Sequence, residues 1–265
     1  MLTEAELDAC AALMEELAPR AMERIAETRP KELGTKKWAA DWVTETDLAV
    51  ERFVRDAIEE RFPAHRIDGE EYGVSGDAGA PATWHVDPVD GTTNYVHGLP
   101  VSSFSICVAD EAGAAAALVA DPYRRETLSA VRGRGALRNG EATHCSEATS
   151  LMGGIVLTEF SAQSLWPGMP QVMEALARAG CVTRIMGSNA FSVSSVAAAR
   201  SVATVIGSFN TGDCLGGALI AGESGARVLA ASDPPADGEL FVCAAPGVVD
   251  ELLSRWPEGA EAVAA

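Results

Sequence analysis

Apolar residues recur every three or four positions near the start of the chain, at Leu7, Cys10, Met14, Leu17, Ala21 and Ile25. This spacing predicts an amphipathic helix over about residues 4 to 27. Thr3 followed by Glu6 is a capping box for its first turn. The same signature, Thr44 followed by Asp47, precedes a second helical pattern that ends before Pro63. Two helices are therefore predicted to precede the rest of the fold.

From Arg66 onward the pattern changes to short extended runs separated by Gly, Asp and Pro. These runs predict strands at residues 83–86, 104–109, 114–120 and 127–131, the second and third joined as a hairpin. Beyond residue 150 the two patterns alternate, with strands predicted at 154–157, 182–186, 202–206 and 240–244 and helices at 170–179, 190–200, 212–223 and 248–256. The order predicts a mixed α/β (α+β) protein with a layered αβαβα arrangement. We expect halves of residues 1–145 and 146–265 in one compact unit.

The charge balance limits the partners of the chain. Its 265 residues include 38 Asp plus Glu and 20 Lys plus Arg, a formal net charge of −18. A field of this sign opposes binding to nucleic acid and to anionic lipid. No apolar run reaches the roughly 18 residues of a membrane-spanning helix, and the first residues lack a secretory signal pattern. We therefore expect a cytoplasmic protein without nucleic acid or membrane as a partner. The six cysteines are spaced singly, which favours free thiols over disulfides or zinc.

Candidate chemistry concentrates in the segment Trp84–Tyr95, where an extended apolar approach leads to two carboxylates, Asp87 and Asp90. We expect the strand to deliver Asp87, the chain to turn at Pro88, and a helix to begin just after Asp90. That geometry gathers both carboxylates and several unpaired backbone N–H groups around one point, which suits a cation beside an anion. An Asx/Pro turn with capping acids is the alternative, and it explains one Asp more easily than two.

Two further segments carry acids at the ends of predicted elements. Glu70 and Glu71 follow a strand-like run, and Asp213 lies in the first turn of a predicted helix. Each alone is typical of a solvated or capping acid. Together with Asp87 and Asp90 they offer four or more carboxylates, the donors preferred by hard cations, and Mg²⁺ fits such a site while bridging a substrate phosphate.

These segments, in this order, resemble the inositol monophosphatase family of magnesium-dependent, lithium-sensitive phosphatases. The resemblance spans nearly the whole chain and includes the D-x-V-T-x-x-D pattern at residues 41–47 and the turn at residues 137–140. It implies a sugar-phosphatase-like fold, a homodimer, and a phosphoric monoester hydrolase for a small phosphorylated polyol or sugar, such as inositol 1-phosphate. Histidinol phosphate, fructose 1,6-bisphosphate and 3′-phosphoadenosine 5′-phosphate are alternative substrates. A scaffold that binds metal or ligand without turnover is an alternative of another class.

The resemblance also implies roles for single residues in holding two or three Mg²⁺ ions. The implied ligands are Glu70, Asp87, the Val89 carbonyl, Asp90 and Asp213. Two or three divalent cations would bring four carboxylates and a phosphate of about −2 close to neutrality. An acidic protein can therefore bind an anionic substrate.

For the reaction itself, the resemblance implies that Thr92 and Asp47 orient the attacking water, which Glu70 also polarises. Asp47 as a simple helix cap is the alternative. The Gly91 and Thr92 amides would receive the phosphate, next to Asp90.

Substrate contacts are expected from the loop at Gly187 and Ser188, where Ser188 as a helix N-cap is the alternative. Lys36 or Lys37 reaches the same opening or is a solvated lysine. The family's inositol-selective members carry a Glu seven residues before the last metal-binding Asp, and here Ile206 stands there. Selectivity for inositol is therefore in doubt.

Overall fold

The computed structural model describes residues 1–28, 33–36, 42–160 and 165–257. Within these residues the helices are α1 (Glu4–Glu27), α2 (Glu45–Arg61), α3 (Thr92–His97), α4 (Met169–Arg178), α5 (Asn189–Ser194), α6 (Thr211–Glu223) and α7 (Val249–Leu253), with a 3-10 turn at Pro246–Val248. The strands are β1 (Leu33–Thr35), β2 (Trp42–Thr44), β3 (Arg66–Gly69), β4 (Gly73–Ser75), β5 (Thr83–Asp90), β6 (Ser103–Asp110), β7 (Gly113–Asp121), β8 (Glu126–Val131), β9 (Ala136–Arg138), β10 (Glu141–Thr143), β11 (Ile155–Glu159), β12 (Val182–Arg184), β13 (Ala203–Ile206), β14 (Arg227–Leu229) and β15 (Phe241–Ala244).

Most described strands form two sheets, and β1 pairs only with β2. The larger sheet has the order β10-β9-β8-β7-β6-β5-β3-β4, antiparallel except for the parallel pair β3 and β5. The smaller has the order β12-β11-β13-β15-β14, with β12, β11 and β13 parallel. The strands change sheet between Thr143 and Ile155, although the predicted division into residues 1–145 and 146–265 stays a prediction.

Alternating side chains along the strands define the layers. On β15, Phe241 and Cys243 belong to one apolar cluster, whereas Val242 and Ala244 belong to another. The first of these clusters lies between the two sheets and includes α5 and α6, and the second covers the outer face of the small sheet with α4 and α7. A third cluster joins α1 and α2 to the outer face of the large sheet. The layers are α1/α2, large sheet, α5/α6, small sheet and α4/α7, so the predicted αβαβα arrangement is confirmed.

Both predicted capping boxes are present. The Thr3 hydroxyl accepts a hydrogen bond from the Glu6 N–H at the start of α1, and the Glu6 carboxylate accepts from the Thr3 N–H. Thr44 and Asp47 make the reciprocal pair at the start of α2. These local contacts satisfy N–H groups that a first helical turn leaves without partners.

Other predictions of local structure were incomplete. The predicted turn at Pro88 was wrong, because β5 continues to Asp90 and accommodates the proline with a register shift against β6. The helix predicted at residues 190–200 ends at Ser194, and that predicted at 248–256 shrinks to α7 with the short turn before it. Strands β1, β2, β4, β10 and β14 were missed, since three-residue strands carry little periodicity.

Helix α6 of the central layer contains two glycines in different surroundings, which allow the packing of this layer to be tested. A Cβ on Gly217 would lie 2.9 Å from the Val193 Cβ of α5, whereas a Cβ on the exposed Gly222 meets its nearest neighbour at 3.7 Å. We expect Gly222→Ala to stabilise the protein by about 0.5–1 kcal/mol through helix propensity. Gly217→Ala should destabilise it by about 1–3 kcal/mol through overpacking. Urea unfolding of the two variants measures both, and equal effects would contradict this account of the α5–α6 contact.

Candidate active site

Four acids meet where the large sheet faces the N-terminus of α6. Strands β3 and β5 run parallel, so Glu70, just after β3, comes beside Asp87 on β5. Asp213 approaches from the first turn of α6. One carboxylate oxygen each from Asp87, Asp90 and Asp213 lies within 4.8 Å of the others. The structure thus brings together the four acids that the sequence placed in three separate segments.

Mutual repulsion and burial dominate the electrostatics of this cluster. Burial, followed by the charges of Glu70, Asp213 and Asp90, raises the pKa of Asp87 well above its ordinary value. Burial and the charges of Asp90 and Glu70 do the same to the pKa of Asp213. Asp90 is also buried, but hydrogen bonds to its carboxylate oppose the shift and its pKa rises to about 6. The site therefore favours a bound cation, which would relieve the repulsion.

The donor set fits a hard divalent ion. The three clustered groups are all carboxylates, and oxygen ligands alone are typical of Mg²⁺ and Ca²⁺ rather than of zinc. The Val89 carbonyl, the remaining implied ligand, lies between Asp87 and Asp90 and accepts a hydrogen bond from the Thr92 hydroxyl at 2.9 Å. These residues could hold a metal ion.

The register shift in β5 shapes the turn into α3. The Val89 N–H donates to the Asp87 carboxylate at 3.0 Å, which fixes the backbone between the two aspartates. Gly91 then adopts a left-handed conformation with φ of 86° as the N-cap of α3. A Cβ there would lie 2.8 Å from the Gly187 carbonyl oxygen, so only glycine fits. The turn thereby brings Thr92 next to the acids.

Asp47 caps α2 and also lies next to Thr92, so its predicted role in orienting water stays a prediction. Its Oδ2 accepts from the Thr44 N–H at 2.9 Å as a helix cap, and the Thr92 hydroxyl lies 3.4 Å from its Oδ1. The Val89 carbonyl, at 2.9 Å, is the nearer acceptor for that hydroxyl. Burial raises the pKa of Asp47 to about 6, although the bonds from Thr44 oppose the shift.

The segment of residues 186–190, here called the Asp90 loop, holds Asp90 from the second half of the chain. The N–H groups of Asn189 and Ala190 donate to the Asp90 carboxylate at 3.1 and 2.8 Å, and the Ser188 hydroxyl also donates to it. Ser188 is at the same time the N-cap of α5, accepting from the Phe191 N–H. Ser188 is 2% exposed, and its hydroxyl bonds both the Asp90 carboxylate and the first turn of α5.

Lys36 reaches the opening as one of the two predicted lysines, and Lys37 lies outside the described residues. The Lys36 ammonium pairs with Glu70 at 2.8 Å and with Glu71 at 2.7 Å. Burial opposes this charge, but the two glutamates outweigh it and raise the pKa of Lys36. Glu51 supports the pair from α2, because its carboxylate accepts the N–H of Glu71 at 2.6 Å.

Sequence reasoning missed one further residue of the site, Glu159, and placed Asn189 in the loop with Gly187 and Ser188 without a partner of its own. The Asn189 amide donates to Asp213 at 3.0 Å, and Glu159 accepts hydrogen bonds from the Asp90 loop. Glu159 did have a signal, since it ends an extended apolar run as Asp87 does. Ile206, in place of an acid, is 1% exposed and lies in the apolar cluster between the sheets, so it offers no polar contact.

Comparison with known proteins identifies this protein as a phosphoric monoester hydrolase. The chain belongs to the inositol monophosphatase family, whose family model matches residues 2–260. The resemblance seen in the sequence motifs is thus confirmed.

Three similar proteins illustrate the relationship. An inositol-1-monophosphatase SuhB of Mycobacterium tuberculosis is 35% identical over 83% of this chain and 79% of that protein. A Nus factor SuhB of Pseudomonas aeruginosa is 40% identical over 55% of this chain, and the match spans 53% of that relative's length. The solved structure of an IMPase from Thermotoga maritima has a TM-score of 0.80 and 29% identity, covering 91% of this chain and 93% of its own.

Among the helices in the described part of the chain, none is both long and apolar enough to cross a membrane.

Repulsion in the acidic cluster predicts how stability depends on pH. In the unfolded chain these aspartates ionise near their ordinary pKa of about 4, whereas folding raises their pKa. The folded state therefore binds more protons above pH 4, and stability falls as pH rises until the folded groups have ionised. For the metal-free protein we expect the free energy of unfolding to fall as the pH rises from about 4 through the pKa of Asp90, about 6, and to keep falling while Asp87 and Asp213 ionise.

Urea unfolding in the presence of a chelator measures this slope. Asp213→Asn removes one charge of the cluster and should flatten it, and Mg²⁺ should restore the stability of the unaltered chain at the higher pH. Equal slopes for the two proteins would show that the carboxylates do not repel as described.

Proposed function

We propose that this protein is a Mg²⁺-dependent phosphomonoesterase that hydrolyses a small phosphorylated polyol or sugar, inositol-1-phosphate-like, by attack of water. The observation that carries the proposal is the group of Asp87, Asp90 and Asp213, two buried carboxylates and a half-buried one. One oxygen of each lies within 4.8 Å of the others, and both desolvation and mutual repulsion oppose their ionisation. Two or three Mg²⁺ ions on these residues, Glu70 and the Val89 carbonyl would neutralise the acids and phosphate, and lower the pKa of water.

The chain's own groups supply orientation. The first N–H groups of α3, from Gly91 and Thr92, follow Asp90 directly in the chain and have no partner within the helix, which would suit phosphate oxygens. The Thr92 hydroxyl can donate to either Val89 or Asp47. When the Thr92 hydroxyl donates its hydrogen bond to Asp47, the lone pairs of the hydroxyl oxygen remain available to orient a water molecule. This supports a positioning role for the Asp47–Thr92 pair beyond capping α2.

The substrate end of the site supports a phosphorylated alcohol without fixing which one. Ile206 offers no hydroxyl acceptor, and the Ser188 hydroxyl is directed to Asp90. The half-buried Asn189 amide and the exposed Gly187 are the polar groups of the Asp90 loop closest to Asp213 and to α3. A site with few fixed acceptors discriminates weakly between related alcohols. We therefore propose several phosphate esters as substrates rather than inositol 1-phosphate alone.

Phosphate release from a panel of esters tests the activity. The panel contains inositol 1-phosphate, histidinol phosphate, fructose 1,6-bisphosphate and 3′-phosphoadenosine 5′-phosphate, each assayed with Mg²⁺ and with a chelator. We expect release that depends on Mg²⁺ and is lost in Asp87→Asn. Mg²⁺ binding without hydrolysis of any ester would favour a scaffold instead, an alternative raised by the relative named as a Nus factor.

The Asp47–Thr92 pair can be tested with closely matched variants. Thr92→Val keeps the shape but loses the hydroxyl, and Thr92→Ser keeps the hydroxyl. We expect kcat to fall by about a hundredfold in Thr92→Val and in Asp47→Asn, the range found for positioned proton acceptors, and to be largely retained in Thr92→Ser. Full turnover in Asp47→Asn would contradict the role of this carboxylate. Circular dichroism and melting temperature show whether each variant remains folded.

A further inference from the structure

The Asp90 loop is held from behind by a carboxylate that lies outside the metal-binding acids. Glu159 ends β11 in the small sheet and is 6% exposed. It accepts the N–H of Met186 at 2.8 Å and that of Gly187 at 3.0 Å. It also accepts the Ser192 hydroxyl at 2.8 Å, on the second turn of the short helix α5. One carboxylate thus ties both the entry to the loop and the helix that follows it.

The groups that contact Asp90 lie between these two attachment points. Ser188, Asn189 and Ala190 donate to Asp90, and the Asn189 amide also donates to Asp213. These four donors belong to three consecutive residues. A shift of the loop by a fraction of an ångström would therefore move all of them together. The orientation of two metal-binding carboxylates therefore depends on where Glu159 holds the backbone.

The front of the Asp90 loop is fixed by a different residue. Asn94 of α3 donates to the Met186 carbonyl at 2.7 Å, and the same amide donates to the Val101 carbonyl at 2.8 Å. The loop is therefore clamped between Asn94 on the side of the large sheet and Glu159 on the side of the small sheet. Asn94 also donates to the Gly187 carbonyl at 3.3 Å, whereas Glu159 accepts from the Gly187 N–H and from Ser192 of α5.

Burial makes this arrangement costly for Glu159 itself. The pKa of its carboxyl rises to about 7, chiefly because burial disfavours the charged form and despite the hydrogen bonds from the loop. If the side chain only had to fill this space, burial of an apolar residue would be more favourable in free energy than burial of a carboxyl group. The cost is understandable if the carboxylate has to fix the backbone N–H groups at a particular point.

We propose that Glu159 is a positioning residue, which sets the Mg²⁺ affinity of the site by holding the Asp90 loop against Asp90 and Asp213. The proposal deepens the proposed function and rests on it. Groups that orient metal ligands from outside commonly change metal affinity by 10–100-fold when they are removed. Glu159 acts on the ligands through the N–H groups of one loop, so its removal should weaken binding and leave the four acids in place.

Calorimetric titration of the full chain with Mg²⁺ tests this directly and requires no turnover. We expect Glu159→Ala to raise the Mg²⁺ dissociation constant at least about tenfold. Glu159→Gln keeps an oxygen for the two N–H groups and should stay within about threefold of the unaltered chain. At saturating Mg²⁺ the kcat of Glu159→Ala should return to within about threefold, because the catalytic groups are unchanged.

Asp110→Ala provides the control for loss of a buried acceptor. Asp110 accepts the N–H groups of Leu2 and Ala112 at 2.8 and 2.9 Å, at the end of β6 far from the site. We expect it to lower the melting temperature and to leave the Mg²⁺ dissociation constant unchanged.

Unchanged Mg²⁺ affinity in Glu159→Ala would overturn the proposal. If that variant does not fold, Ser192→Ala removes one of the three bonds to Glu159, and its Mg²⁺ affinity decides in the same way, with a two- to threefold loss expected. Mg²⁺ binding by the unaltered chain without phosphate release would overturn the proposed function alone, because the titration still measures the effect of Glu159.

Discussion

Repulsion between carboxylates that are buried together is the constraint on which the site depends. Charging Asp87, Asp90 and Asp213 together in one small volume is unfavourable without a compensating cation, and burial increases the cost. The surrounding donors lessen this cost most for Asp90, which accepts three hydrogen bonds from the Asp90 loop, whereas Asp213 accepts one from the Asn189 amide. The ionised cluster without a cation therefore destabilises the folded protein. A cation that binds these carboxylates would remove the repulsion and stabilise the folded state.

How much of this follows from the sequence depends on the range of the contacts. Capping boxes act within three residues, so Thr44 and Asp47 could be paired from their spacing and were found paired. The four acids were predictable because each ends a strand or begins a helix. The contact of Glu159 with Met186 joins residues 27 apart, and only the register of the small sheet brings them together. The continuation of β5 through Pro88 likewise depends on its partner strand, which single-chain periodicity does not show.

Position 206 shows how the small sheet affects chemistry at the substrate end. Ile206 on β13 pairs with Glu159 on β11, so the two residues are neighbours across the strands. An acid at 206 would add a like charge beside a carboxylate whose pKa is already raised by burial. The apolar residue avoids that repulsion and leaves Glu159 to the Asp90 loop. An apolar residue at position 206 is therefore compatible with the pairing of β11 and β13.

The division of the acids between the two sheets has a consequence during synthesis. Strands β3 and β5 are complete, with Glu70, Asp87 and Asp90 in place, more than 120 residues before Asp213 is added to the chain. At an elongation rate of about 5–20 residues per second, several seconds separate these events. The acids of the large sheet therefore meet the Asp90 loop and α6 only after most of the chain has been synthesised.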